Sequence, residues 1–289
     1  MEERVRYMGI EARFECDVLS DVRYGDLEEQ AVDIYRPAVG RSSSDERLPA
    51  VLHLHGGAWR KGDKDMLAGA SRGLASRGFV VFTANYRLAR RGRNRWPACW
   101  EDVRTLLEWV LEGGEDLGVD VSRIGAVGYS AGAHLAALLG TRPETAKHIR
   151  CVVDFFGPSH LGPGRRRVGQ YILFGRMRPP RATVESASPA LLVSQDTPPF
   201  MIIHGCSDRM VPVEQSKILH EALAAEGTEV RLCLFEGQPH AFVRPDRNGE
   251  LSPEALKAFR EVSDFLSTHL GPCMPGRDRS RDSGSPGST

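Results

Sequence analysis

A serine flanked by glycines, Gly128-Tyr129-Ser130-Ala131-Gly132, stands between the apolar run Ile124-Gly125-Ala126-Val127 and the helix-like stretch Ala133 to Leu139. A strand that turns sharply into a helix holds the central serine in a strained conformation with its hydroxyl exposed, and small flanking residues let the two backbones approach. Ser130 is thereby a candidate nucleophile for acyl transfer. In a chain with 30 glycines the pentapeptide is also compatible with an ordinary turn, so the weight falls on what else the sequence supplies.

Attack on an acyl carbonyl builds negative charge on its oxygen, which preorganised N–H donors aimed at one point would stabilise. His55-Gly56-Gly57-Ala58-Trp59 follows the strand-like run Ala50-Val51-Leu52-His53-Leu54 and exposes such donors. The amides of Gly57 and Ala58, with that of Ala131 after the serine, would form an oxyanion hole; a tight strand-to-loop turn is the plainer reading of the same residues. Tyr129 and Trp59 are candidate substrate-binding walls, although an aromatic at position 59 serves equally well as core.

Nine histidines compete for the role of base, and chain order discriminates among them. The partners of a serine on such a turn follow it at the carboxyl ends of later strands, acid first and histidine last. Phe200 to His204 is one late strand and runs into Gly205-Cys206-Ser207-Asp208; Val230 to Phe235 is the next and leads to Pro239-His240-Ala241-Phe242. His240 would take the proton from Ser130 and return it to the leaving group, while Asp208 fixes the imidazole tautomer. Asp154, after Cys151-Val152-Val153, is an alternative acid at the preceding strand end. His134 reads as a packed or capping residue, His204 as the end of a buried strand and His55 as a brace for the glycine loop. His53, His148, His160, His220 and His269 lack a strand-end context and read as structural or solvent-facing.

Together with Asn85-Tyr86-Arg87-Leu88 and Pro198-Pro199-Phe200, these motifs resemble an α/β-hydrolase over residues 13 to 270. Within that superfamily the chain is similar to the small carboxylesterases grouped with bacterial feruloyl and acetyl xylan esterases, kynurenine formamidase and plant prenylcysteine methylesterases. Gly128-Tyr129-Ser130-Ala131-Gly132-Ala133-His134-Leu135-Ala136 is the most telling string. Ala58, Tyr129 and Ala133 stand where the hormone-sensitive-lipase-like branch has glycine, aspartate and glycine, and so point away from it. Ala241 replaces the glycine that frequently follows the histidine, and a small residue is retained. The resemblance implies a serine carboxylic-ester hydrolase acting on short-chain or small aromatic acyl esters. An arylformamidase using the same apparatus is the alternative, and a non-catalytic binding protein on the same fold is a third reading.

The elements that must position these groups follow from apolar runs and helix-start signals. Strands are predicted at 14–18, 31–35, 50–55, 79–83, 123–127, 151–155, 200–204 and 230–235, with helices at 66–77, 98–111, 131–139, 213–226 and 253–270. Pro212 and Ser252-Pro253 mark helix starts. The alternation implies an α/β fold: a mostly parallel eight-stranded sheet with helices on both faces, its first two strands forming an antiparallel edge. Residues 1–12 read as an N-terminal extension and 13–270 as one catalytic domain. The polar stretch Arg41 to Arg47 reads as a surface loop, and 271–289 as a disordered tail. Residues 157–198 carry few regular signals, and are expected to be either a lid or pocket wall or a packed excursion.

With 38 basic and 38 acidic side chains, no global field argues for nucleic acid or an anionic membrane. The arginine clusters at 90–95 and 165–167 read as solvated loops or, at the first, as a site for an acidic group on the substrate. The six cysteines have neither C-x-x-C nor metal-ligand spacing and read as free thiols. No metal or other cofactor is expected, and the expected partner is a small-molecule ester. Met1-Glu2-Glu3-Arg4 does not read as a signal peptide, and no apolar run reaches the roughly 18 residues that span a bilayer, so a cytoplasmic location is expected.

Overall fold

Eight strands pair into a single sheet in a computed structural model that describes residues 6–7, 10–11, 15–38, 47–90, 92–162, 171, 173–176, 178–247 and 249–271. In chain order the strands are β1 (Cys16–Arg23), β2 (Ala31–Pro37), β3 (Leu48–Leu54), β4 (Val80–Ala84), β5 (Val119–Tyr129), β6 (Ile149–Phe155), β7 (Phe200–Gly205) and β8 (Val230–Phe235). Their spatial order is β1-β2-β4-β3-β5-β6-β7-β8. Strand β2 runs antiparallel to both its neighbours, and every other pairing is parallel, so the expected antiparallel edge is present. A short antiparallel ribbon, Arg6–Tyr7 with Ile10–Glu11, stands apart from this sheet.

Parallel pairing requires a crossover after each strand, and the crossovers place helices on both faces. The longer helices are α1 (Ala68–Ala75), α2 (Ala98–Gly113), α3 (Ala131–Thr141), α6 (Glu214–Ala225) and α7 (Pro253–Leu270); α4 (Pro143–Ala146) and α5 (Arg181–Ser186) are short. Strand periodicity sorts the core. In β3, Leu52 and Leu54 face the layer that holds α2, α3 and α6, whereas Val51 faces the layer with α1 and α7. Ile202 and Ile203 divide in the same way along β7. These side chains are fully buried, and each such burial contributes about 1.5–3 kcal/mol.

The boundaries differ from expectation where side-chain burial does not govern them. β1 continues to Arg23 through mostly exposed residues, because an outer strand is held by backbone pairing with β2 and needs no apolar run. Phe14, assigned to this strand from sequence, lies outside the described residues, as do 39–46 and 272–289. The predicted helix at 66–77 is instead a 3₁₀ turn, Lys64–Leu67, followed by α1. The Asp63 carboxylate caps that turn at the Asp65 amide, and buried Lys64 ties it to the sheet edge through Asp21 and Asp33 at 3.1 and 3.0 Å. α7 begins as read, with Ser252 capping the Ala255 amide and Pro253 in the first turn. The described cysteines Cys16, Cys99, Cys151, Cys206 and Cys233 are free thiols, and no helix among the described residues is long and apolar enough to cross a membrane.

Leu52 lies at the centre of the sheet with no exposed surface. Leu52→Ala is expected to lower unfolding stability by ~2–5 kcal/mol through lost burial and the cavity left behind; urea denaturation followed by tryptophan fluorescence measures it.

Candidate active site

Ser130 occupies the turn between β5 and α3 with φ 53° and ψ −113°, a conformation that L-residues rarely adopt. Backbone proximity enforces it. A Cβ at position 128 would lie 2.2 Å from the Gly132 carbonyl oxygen, and one at position 132 would lie 2.2 Å from that of Leu54. Only glycine fits at either place, so α3 begins against the ends of both β5 and β3.

The carboxyl ends of β7 and β8 bring the other two groups to this turn. His240 Nε2 is 3.1 Å from Ser130 Oγ, and His240 Nδ1 is 2.5 Å from Asp208 Oδ2. Asp208 Oδ1 accepts from the amides of Met210 and Val211 at 2.7 and 2.9 Å. Burial alone would raise the Asp208 pKa, but hydrogen bonds from His204, His240 and the Val211 amide outweigh it and hold the carboxyl well below the usual carboxylate range. With Asp208 ionised, Nδ1 of neutral His240 carries the proton, and Nε2 is free to accept one from Ser130. The Phe156 ring packs edge-on to His240 at 4.7 Å and limits its movement.

His204, expected only to end a buried strand, is a second partner of this carboxylate. Its Nε2 lies 3.2 Å from Asp208 Oδ2 and 3.0 Å from the Val211 carbonyl oxygen, both acceptors, so Nε2 carries a proton. Its Nδ1 meets Ser216 Oγ at 2.6 Å. The four-residue spacing of His204 and Asp208 across a strand end was a usable signal in the sequence; the place of Phe156 beside His240 had none.

The glycine loop after β3 lies opposite Ser130. Gly57 has φ 131°, and a Cβ there would stand 1.7 Å from the Lys61 carbonyl oxygen. Ala58 and Trp59 are also left-handed, at φ 54° and 56°. Among the described residues the amides of Gly57, Ala58 and Ala131 donate to no protein acceptor. His55 supports the loop from within: its Nδ1 donates to the Gly56 carbonyl at 2.8 Å, its ring stacks on Tyr86 at 4.4 Å, and the Tyr86 hydroxyl donates to the His55 carbonyl at 2.7 Å. The Asn85-Tyr86-Arg87-Leu88 string thus acts behind the loop, with Arg87 paired to buried Asp102.

A cavity of about 330 Å³ opens at Ser130. Tyr129 lines it with Met66, Leu67, Phe156, Val243 and Phe259. Trp59, the other expected wall, does not. Its indole is 4% exposed in the core, where Nε1 donates to His134 Nδ1 at 3.2 Å, and His134 Nε2 donates to the Ala187 carbonyl at 2.7 Å. The left-handed backbone at 59 turns the side chain inward. Through these bonds and the burial of Leu161, Leu173, Phe174 and Ala190, the described part of 157–198 is packed on the core, and none of its residues lines the cavity. The segment 163–170, with Arg165 to Arg167, lies outside the described residues. Arg90 and Arg93 form a small backbone bridge, Arg95 lies against Gly175, and none of the three reaches the cavity.

The strand order, with a strained serine where β5 turns into α3, defines an α/β-hydrolase fold. Residues 32–223 match the BD-FAE family, and the chain belongs to it. Among curated relatives it is 29% identical over 246 residues to esterase LipC of Mycobacterium tuberculosis, covering 76% of this chain and 59% of LipC. It is 28% identical over 250 residues to isoprenylcysteine alpha-carbonyl methylesterase ICME of Arabidopsis thaliana, covering 78% of this chain and 57% of ICME. The chain therefore spans less than two thirds of the length of either. A truncated carbohydrate esterase from gut microbiota superposes with a TM-score of 0.74 at 26% identity, over 89% of this chain and 98% of that one.

Asp154, the alternative acid, bonds the Gly157 amide at 2.7 Å and does not reach His240; its Oδ2 has no hydrogen-bond partner among the described residues. Burial pushes its carboxyl up to about 6, against the Gly157 bond and nearby His204. A folded-state value above the unfolded one means that the native protein binds more protons between about pH 4 and 6, so Asp154 destabilises the fold as pH rises through that window. Asp154→Asn is expected to gain stability over the parent protein by roughly 1–3 kcal/mol more at pH 8 than at pH 4, read from the difference in Tm of the two proteins across pH.

Proposed function

We propose that the protein is a serine carboxylic-ester hydrolase working through an acyl-enzyme. The observation that carries this reading is the unbroken hydrogen-bonded chain from Ser130 Oγ through His240 to Asp208, at a serine in a strained backbone conformation. Esterase relatives and a carbohydrate-esterase neighbour support it.

Ser130 Oγ attacks the acyl carbon and its proton passes to His240 Nε2, while Asp208 stabilises the imidazolium. The carbonyl oxygen takes the negative charge between the amides of Gly57, Ala58 and Ala131, each worth about 3 kcal/mol of barrier. Collapse breaks the bond to the alcohol, which leaves with the proton from His240. Water then attacks the acyl-enzyme by the same route, releasing the acid and restoring Ser130. No cofactor enters this sequence of steps.

Tyr129, with the apolar side chains around it, receives the non-reacting part of the substrate. The cavity is at the small end of the range for ligand sites, which supports short-chain or small aromatic acyl groups. We place the catalytic domain at residues 13–270.

Initial rates on p-nitrophenyl esters from acetate to decanoate test the reading. Turnover is expected to peak at short chains and to vanish in Ser130→Ala. Asp208→Asn is expected to lower kcat by about 10³–10⁴-fold through the wrong histidine tautomer. Absence of Ser130-dependent ester turnover, with rapid hydrolysis of N-formylkynurenine, would move the assignment to an arylformamidase.

A further inference from the structure

The cavity at Ser130 has a charge pattern that ester hydrolysis alone does not require. Among the described residues lining it, Lys61 and Arg244 carry a formal charge and none is a carboxylate, in a chain whose acids and bases balance. Each cation comes from one of the two loops that carry the chemistry. The Lys61 amide closes the glycine loop by donating to the Gly57 carbonyl at 3.1 Å, and the Arg244 amide donates to the Ala241 carbonyl at 3.1 Å just after His240. Both residues are exposed, and among the described residues neither side chain has a carboxylate partner. The acids nearest to Lys61 in sequence are engaged elsewhere: Asp63 by Asn85 and Asp65 by Lys64.

Between these cations the walls are apolar. Leu67, Tyr129, Phe156 and Val243 are buried behind the cavity, while Met66 and Met210, 48% and 65% exposed, form an apolar lip. A neutral aliphatic ester would satisfy the walls and leave both cations in water. A ligand with an apolar body and a negative group satisfies both, because two like charges at one opening attract an anion and disfavour a cation.

We infer that this site takes esters whose apolar body carries a carboxylate or comparable anion, held by Lys61 and Arg244. The inference rests on the hydrolase reading and assigns it a substrate class. It also moves recognition of an acidic group away from the arginine cluster at 90–95, of which Arg90, Arg93 and Arg95 do not line the cavity.

The test compares kcat/KM within two charge pairs. Mono-4-nitrophenyl adipate against 4-nitrophenyl hexanoate places the anion on the acyl side; 4-acetoxybenzoate against its methyl ester places it on the leaving side. The anionic-to-neutral ratio is expected to fall about 3- to 10-fold in Lys61→Met and in Arg244→Met, and further in the double variant, for at least one pair. Because each variant is compared with the parent protein on the same two esters, intrinsic reactivity and any loss of folded protein cancel. The parent's rate on the anionic member of that pair is expected to drop as salt rises from 50 to 500 mM while its neutral partner holds, since screening shortens the reach of both cations. Unchanged ratios in both pairs, with Ser130-dependent hydrolysis of the neutral esters intact, would overturn this inference and leave the hydrolase reading standing. Absence of Ser130-dependent turnover on all four esters would overturn the hydrolase reading and this inference with it.

Discussion

The start of α3 lies so close to the end of β3 that there is no room for a single methyl group between Gly132 and the Leu54 carbonyl. That contact is backbone against backbone, so no rotamer can relieve it. It fixes the direction in which the chain leaves β5, holds Ser130 at positive φ and sets the Ala131 amide beside the loop that follows β3. Gly56 approaches the Tyr129 carbonyl from the other side, where a Cβ would stand at 2.9 Å. The serine turn and the glycine loop are therefore one unit, spaced by hydrogen-bonded strands rather than by side-chain packing.

Onto this frame β6 and β7 deliver two aspartates whose surroundings shift their carboxyls in opposite directions. Asp208 accepts two amides and faces two imidazoles, and these bonds outweigh the cost of burial. Asp154 has one amide bond and an unpartnered oxygen, and burial prevails. Of the two, Asp208 is the one bonded to His240 and the one whose ionised form its surroundings favour. His204 is common to both environments, bonded to one carboxylate and close enough to the other to lower its pKa.

The buried histidines show the complementary arrangement. Burial pushes His53 down to about 3 and His134 down to about 4, so both stay neutral at physiological pH and serve as hydrogen-bonding links. His53 meets Ser71 behind Tyr129, and His134 joins Trp59 to Ala187. His240 differs in standing at the cavity, with 12% of its side chain exposed.

Much of this was legible in the residues. Strand-like runs, most of them continuously apolar and the later ones alternating with helical stretches, indicate a mostly parallel sheet, because buried central strands need continuous apolar side chains and parallel pairing needs crossovers. Ser130, Asp208 and His240 were singled out because each follows a strand, and strand ends are positions in a sequence as well as in space. The edge strand beyond Val18 was hidden, since its pairing is carried by backbone groups that every residue possesses. The inward turn of Trp59, the second imidazole on Asp208 and the convergence of Lys61 with Arg244 belonged to the tertiary structure alone. Lys61 and Arg244 are separated by more than half the chain, and their loops are brought to one opening by the order in which β3 and β8 enter the sheet. Local sequence determines which segments become strands and helices through burial and backbone geometry. Which side chains share a cavity depends on strand order and crossover direction, which sum interactions over the whole chain.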